Sequence, residues 1–347
     1  MDLEDPFPGG LARFQPPFCP IPACPSTAPD GPPFRYRRRG SYVRKCDGRR
    51  VRRYQCRACT LSFSVQNFRV DYRLHRPELM TVVFDTFVSK VTQRQAARTL
   101  QCTRKTIRLR LRLFGLHCFE FNAAALKRAA ERGGVRGRFQ LDELETFEQN
   151  RRLCPVTMPV LIERRTRFVV CSQSGPLPAR GNLRGRALQR KAELETREGV
   201  RRSGSRAAVK SCFEVLARVH APNAIVAIST DMKSSYVSVL QEVFPTRHVH
   251  ERHSGQAQRS VTNPLWPINH TLAMLRDGLS RLVRRSWGAS KQREWLSAHA
   301  WIWIAYRNYV RGLTNKRSKV TSAQLLGVVS RQFTKCEFLE WRVNTRH

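Results

Sequence analysis

Acidic side chains are scarce in this chain. Only 26 Asp and Glu stand against 63 Lys and Arg, leaving a formal net charge of +37 at pH 7 over 347 residues. That imbalance excludes an acidic surface and predicts a polyanionic partner held by salt-sensitive contacts. Long apolar runs are missing as well: no stretch approaches the roughly 18 uninterrupted apolar residues of a membrane span. The start Met1-Asp-Leu-Glu-Asp5 is acidic and no apolar core follows it, which excludes a secretory leader. The expected setting is therefore the cytoplasm, without membrane attachment, where thiols stay reduced. Eleven cysteines is an odd number, so full disulfide pairing is excluded and a four-ligand metal site plus scattered buried thiols is expected.

The chain is long enough for two or three domains. Basic blocks recur along it, at Arg37-Arg38-Arg39, Arg49-Arg50, Arg164-Arg165 and Arg284-Arg285, so no single tail explains the charge. A basic extracellular or ribosomal protein is the plain alternative. The many aromatic and aliphatic residues weigh against it.

Residues 1–18 are rich in Pro and Gly and are expected to be disordered. Residues 19–66 then carry two cysteine knuckles, Cys19-Pro-Ile-Pro-Ala-Cys24 and Cys56-Arg-Ala-Cys59. Between them the sequence alternates well enough for two short strands around the turn Asp47-Gly48, with Tyr54 and Phe63 as core. Four thiolates in tetrahedral geometry suit Zn²⁺, and a domain this small needs it in order to fold. Cys19, Cys24, Cys56 and Cys59 are the expected ligands of a zinc ribbon. Cys46 lies between the knuckles and could displace one of them, and cysteines merely buried in a small core remain the bland reading. A ribbon this basic is expected to touch DNA phosphates, with a protein contact as the alternative.

From Pro77 the apolar period becomes helical, and residues 67–133 read as a helix-turn-helix domain with a basic helical linker. Thr92 caps a short helix ending at Leu100, Gln101-Cys102 makes the turn, and Thr103 caps a second helix over Arg104–Leu113. Ala96, Leu100, Ile107 and Leu111 are its expected core. Arg104, Lys105, Arg108, Arg110 and Arg112 are left for solvent or DNA, with Arg104, Lys105 and Arg108 nearest the duplex. A generic basic helical hairpin is the competing reading.

After Gly133-Gly134 the texture turns α/β, and residues 134–315 read as one domain followed by an extension at 316–347. A strand over Val135–Phe147 carries Asp142 in its middle. Strands near Val156–Ile162 and Arg167–Ser172 follow, then a basic arm at 176–204 expected over the site, and a helix over Ala207–Val219. The near-continuously apolar strand Ala224–Asp231 ends in an acid. Lys233–Phe244 is helical, Thr246–His250 is a strand, and Ile268–Arg284 and Lys291–Arg311 are long helices. This order matches a ribonuclease-H-like sheet, in which the acid of the first strand and the acid ending the fourth lie side by side. Asp142, Asp231 and Asn269 on the following helix then form an oxygen ligand set for Mg²⁺. Strand alternation puts Glu143 and Glu145 on the face away from Asp142. Trp287, Trp295, Trp301 and Trp303 read as core and interface anchors.

Several stretches together resemble bacterial insertion-sequence transposases of the DDE type, the group with an N-terminal zinc ribbon and helix-turn-helix that is related to Merlin elements. They are Tyr54-Gln-Cys56-Arg-Ala-Cys59-Thr-Leu-Ser-Phe63, Gln140-Leu-Asp142-Glu, Ser229-Thr-Asp231, Asn269-His-Thr-Leu-Ala-Met-Leu-Arg276 and Tyr306-Arg-Asn308-Tyr. The resemblance implies terminal-repeat binding, then Mg²⁺- or Mn²⁺-dependent cleavage and strand transfer, in a bacterial, nucleoid-associated protein. Bridging two element ends implies at least a homodimer on DNA. It also places the third ligand at Asn269, where relatives carry Glu or sometimes Asn, and a DNA-gripping base at Arg276. His270 is either a phosphate contact or a solvent-facing neighbour. A neutral Asn weakens the site by one negative charge, so a domesticated DNA-binding protein is the alternative, and a nuclease without strand transfer is a third.

Overall fold

The computed structural model describes residues 14–27, 33–255, 260–283, 291–314 and 319–341. Expectations for residues 1–13, Arg284-Arg285 and Trp287 lie outside the described residues. The chain divides into two compact units: residues up to Phe84 together with those from Phe333 on, and Asp85–Gln332.

In the first unit, β1 (Tyr36–Val43), β2 (Arg50–Cys56) and β3 (Ser62–Ser64) form an antiparallel sheet in that order. The turn between β1 and β2 needs a left-handed residue, which Gly48 supplies at φ +67°. Tyr54 and Cys56 of β2 face a small core with Cys19, Cys24, Phe63 and Phe68. Arg50, Arg52 and Arg53 stay outside it, as does all of β1 beyond Tyr36, including Arg37-Arg38-Arg39. Below the sheet Asp71 gathers Arg69 and Arg44, each at 2.8 Å. These ion pairs outweigh burial and hold its carboxyl below the usual range.

The helix α1 (Leu79–Val88) leads into the second unit, which continues with α2 (Gln93–Thr99) and α3 (Arg104–Glu131). Thr92 and Thr103 cap α2 and α3, accepting from the backbone N–H of Gln95 and Thr106. The second helix does not stop at Leu113. No Pro interrupts it, and Phe114, Cys118, Phe121 and Ala125 extend its buried stripe, so what reads as a linker is helix to Glu131. Gly115 serves its packing on α8 (Arg293–Ala305), because a Cβ there would sit 2.5 Å from the Ala298 Cβ. Arg110, expected in solvent, is only 2% exposed. It lies three residues after Ile107 and four before Phe114, on the stripe that faces the interior.

The large sheet has the order β6-β5-β4-β8-β9, from β4 (Arg138–Phe147), β5 (Pro155–Glu163), β6 (Val169–Ser172), β8 (Val226–Thr230) and β9 (His248–Arg252), with β7 (Gly175–Pro176) beside β5. β4, β5 and β6 are antiparallel, while β4, β8 and β9 are parallel. Every residue of β5 is buried, the mark of a strand covered on both faces. On one face α5 (Ser205–Val219) spans from Glu143, which Ser205 contacts, to Phe139, whose ring lies 5.8 Å from His220 just beyond the helix. On the other face α7 (Trp266–Gly278) is tied to Gln140. The helix α6 (Ser234–Val243) joins β8 to β9.

The stretch 176–204, expected as an irregular arm, contains α4 (Arg186–Glu198), none of whose residues is buried. Its neighbours are held by Arg180, bidentate to Glu145 at 2.5 and 2.6 Å, and by Arg201, 2.7 Å from Glu148. Glu145 lies on the face of β4 away from Asp142, so this anchorage is not on the Asp142 side. The helix α8 ends in a π-turn at Tyr306–Val310, where the buried Asn308 amide bonds the Val169 N–H at 3.0 Å and its carbonyl at 2.9 Å. Asn308 therefore closes the β6 edge of the sheet. Trp301 and Trp303 are buried, whereas Trp295 is half-buried beneath Arg108. The C-terminal extension is split: α9 (Ser322–Leu325) belongs to the second unit and α10 (Lys335–Glu340) to the first. No helix among the described residues is long and apolar enough to cross a membrane.

Candidate metal centres and active site

In the first unit Cys19, Cys24, Cys56 and Cys59 come together, with all four sulfurs within 4.8 Å of one another. Cys19 and Cys59 lie 3.8 Å apart, and Cys24 and Cys56 3.6 Å. Metal–sulfur bonds of about 2.3 Å in a tetrahedron place sulfurs about 3.8 Å apart, so the cluster fits an ion such as Zn²⁺. Burial raises the Cys24 thiol, but the Ser26 backbone N–H and the neighbouring sulfurs outweigh it and bring it to about 7. The backbone N–H groups of Ile21 and Leu61 likewise favour the thiolates of Cys19 and Cys59, though burial leaves both thiols raised. Cys46 is exposed and accepts a hydrogen bond from Arg44 Nε at 2.8 Å, outside the cluster. The group is compatible with a zinc ribbon.

In the second unit the parallel register of β4 and β8 pairs Phe139 with Ile228 and Gln140 with Ser229. Asp142 follows this pairing by two residues on β4, and Asp231 follows it by two on the β8 side, one residue past the end of that strand. The electrostatics agree. Burial pushes the Asp142 carboxyl up to about 6, helped by the charges of Asp231 and Glu143, while the Glu143 N–H and Arg276 oppose the rise. Asp231, one residue past the strand, accepts the Lys233 N–H at 3.0 Å, which fixes the turn into α6.

Asn269 and Arg276 are seven residues apart on α7, two turns on one face, and the Arg276 charge reaches Asp142. The start of α7 has no side-chain N-cap of its own, and Pro267 has no N–H to cap. The sheet provides the cap instead. Gln140, fully buried, accepts the Ile268 N–H at 3.1 Å and donates to the Pro264 carbonyl at 2.7 Å. Gln140 precedes Asp142 by two residues and shares its face, so one strand carries both an acid and the clamp for the Asn269 helix. Gln140→Ala should destabilise the fold by about 1–3 kcal/mol by orphaning a buried donor. Hydrogen exchange at the Leu265–Leu272 amides should rise with it; unchanged protection there would show that the clamp does not hold the helix.

Glu143 points to the other face, where Thr157 Oγ1 at 2.5 Å, Ser205 Oγ at 2.8 Å, Tyr236 OH at 2.9 Å and Lys233 Nζ all donate to it. Against burial, the Lys233, Thr157 and Ser205 bonds hold its carboxyl below the usual range. A carboxylate so fully engaged is a brace and not a free ligand. It braces the Asp231 turn through Lys233. β8 and β9 pair Thr230 with Arg252, and the His253 N–H donates to the Thr230 carbonyl at 3.0 Å just past the end of both strands. Sequence reasoning missed the roles of Gln140 and Lys233, because each rests on a side-chain bond to a residue far away in the chain.

Arg104, Lys105 and Arg108 are exposed at the start of α3, with the Arg108 guanidinium 5.9 Å over the Trp295 ring. His270 stacks on Trp266 at 4.9 Å and is half-buried. No protein-family model and no curated protein matches the chain.

Proposed function

We propose that this chain is a DDE-type transposase with Asn at the third position. In this reading it binds the terminal inverted repeats of an insertion sequence, cuts at the element ends and joins them to target DNA. The observation that carries the reading is the β4–β8 pairing, which ends two residues before Asp142 and Asp231, together with the charge effects of Asp231 and Arg276 on Asp142. The strand order supports a ribonuclease-H-like sheet, with three antiparallel strands continued by two parallel ones. The thiol cluster supports a zinc ribbon, and the capped pair α2 and α3 supports a helix-turn-helix whose Arg104, Lys105 and Arg108 meet DNA.

The donor set is two carboxylates and an amide, all hard oxygens, which fits Mg²⁺ or Mn²⁺. Such ions would supply Lewis acidity toward a phosphodiester and its attacking water or hydroxyl. The protein's own part is positional. Asp142 and Asp231 concentrate negative charge at one point of the sheet, Gln140 fixes the helix bearing Asn269, and Arg276 holds a backbone phosphate.

Asn269 gives a graded test in an excision and joining assay on a repeat-flanked substrate. Asn269→Ala should cost about a hundredfold or more in rate, the scale of losing one positioned polar group. Asn269→Asp should retain or raise activity by restoring charge. Equal rates for all three proteins would remove Asn269 from the site. A wild type that binds repeats and never cuts would favour the second reading, a domesticated DNA-binding protein, for which the neutral Asn269 speaks.

A further inference from the structure

A cleft of about 770 Å³ opens between the entry to β4, the β5–β6 turn and the start of α7. Arg136, Arg138, Arg164, Arg165 and Arg167 line it, against the single acid Glu163. That acid does not neutralise them. Its carboxylate turns into its own loop, accepting from Thr166 Oγ1 at 2.6 Å and from the Thr166 and Arg165 N–H groups at 2.7 and 3.2 Å. Arg138 has an ion-pair partner, Glu251 at 2.8 Å, while the side chains of Arg164 and Arg165 have none among the described residues.

The charge continues inward. Arg167 adopts a left-handed backbone at φ +55°, and its guanidinium lies 4.6 Å over the Trp266 ring, with Nε buried and without a hydrogen-bond partner. Arg307 is only 1% exposed, and its Nε, Nη1 and Nη2 have no hydrogen-bond partner among the described residues. Burial, with Arg311 and Arg167 adding, brings Arg307 down to about 10, and the same arginines together with burial depress His270. A buried guanidinium without acceptors is costly. Here such a group sits in the field of Arg167 on the cleft wall, and no acid among the described residues pairs with it.

We propose that this cleft is a binding site for consecutive backbone phosphates of DNA, beside the start of the helix that carries Asn269. The size is that of an ordinary ligand cleft, roughly 300–1,000 Å³. Planar guanidinium forks suit phosphate oxygens bidentately, and the multiplicity of arginines suits a polyanion over a single carboxylate. Pro267, two residues before Asn269, lines the same cleft, so a strand lying in it passes beside the start of the Asn269 helix. The inference rests on the DNA-processing reading above and deepens it by naming where the backbone lies.

The test uses the full chain and a short duplex of arbitrary sequence, with binding measured over a range of salt and no divalent metal present. Arg164→Ala/Arg165→Ala is compared with wild type and with Arg151→Ala/Arg218→Ala, an exposed pair carrying the same charge change elsewhere. The cleft variant should bind about tenfold or more weakly near 0.15 M salt, with a log–log salt slope shallower by about 2, since each phosphate contact contributes roughly 0.9. Arg164→Lys/Arg165→Lys should recover most of the slope, which separates lost contacts from misfolding. The same affinity and slope as the control pair would overturn the proposal. So would loss of inorganic pyrophosphate binding with DNA affinity intact, because the cleft would then serve a free anion. Cleavage does not enter the readout, so a chain that never cuts DNA would sink the transposase reading and leave this one standing.

Discussion

Asp231→Asn protein is expected to bind a repeat-bearing duplex like wild type and to cut and join it about a hundred- to a thousandfold more slowly. Asn keeps the volume and can still accept the Lys233 N–H that fixes the turn, now 3.0 Å from the carboxylate, so only the charge is lost. The magnitude follows from what the pair must do. Stabilising charge in a phosphoryl transition state is largely electrostatic, and single preorganised groups are worth about 10²–10³ in rate. Asp142→Asn should be equally inactive. It should also melt no lower than wild type without added metal, because burial and the Asp231 charge already disfavour its ionised form. Duplex binding should survive both changes, since the exposed bases Arg104, Lys105 and Arg108 stand on α3, away in sequence from the acids. The measurement is an excision and joining assay in Mg²⁺ and in Mn²⁺ beside a duplex-binding titration. An Asp231→Asn protein that cuts and joins at the wild-type rate would put the metal site elsewhere.

Cys56→Ser should remove bound zinc and unfold the small β1–β2–β3 sheet. Cys56 is buried in the core of that sheet and lies 3.6 Å from Cys24, so serine both breaks the ligand set and leaves a hydroxyl among apolar groups. Structural zinc contributes about 10–16 kcal/mol in small metal-held domains, as much as the whole stability of many proteins at about 5–15 kcal/mol. Elemental analysis should therefore read one zinc per wild-type chain and almost none in the variant. Cys46→Ser should keep its zinc, because Cys46 is exposed and bonded to Arg44 outside the cluster. Unchanged zinc in Cys56→Ser protein would refute the assigned ligands.

Where local spacing carries the information, the sequence was legible. The two knuckles named the four thiols that cluster, because pairs of cysteines separated by two residues (Cys56–Cys59) or four (Cys19–Cys24) already have the spacing of a metal knuckle. Thr92 and Thr103 named the helix starts, because a cap acts within three residues of itself. The alternation around Asp142 also put Glu143 and Glu145 on the far face, and their partners Ser205 and Arg180 bear this out. The end of α3 was less legible. Residues beyond Leu113 look like a linker when read for charge, yet Phe114, Cys118 and Phe121 carry the helical stripe on, and packing against α8 decides in favour of helix.

The sequence by itself determined the strong net charge, the thiol set, the helix caps and the acids that stand at strand positions, since each depends on composition or on neighbours a few residues away. Only the tertiary structure decided what lies beside what. Asp142 and Asp231 are 89 positions apart, and the parallel pairing two residues before them brings their charges into interaction; Gln140 and Ile268 are 128 apart, and one side-chain bond joins them. It also buried Arg110 and Arg307, which the sequence offers as ordinary surface charge. The physical reason is that hydrophobic periodicity specifies which face of an element is covered. Which element covers it, and which polar groups meet there, follows from sheet register and helix packing among residues far apart in the chain.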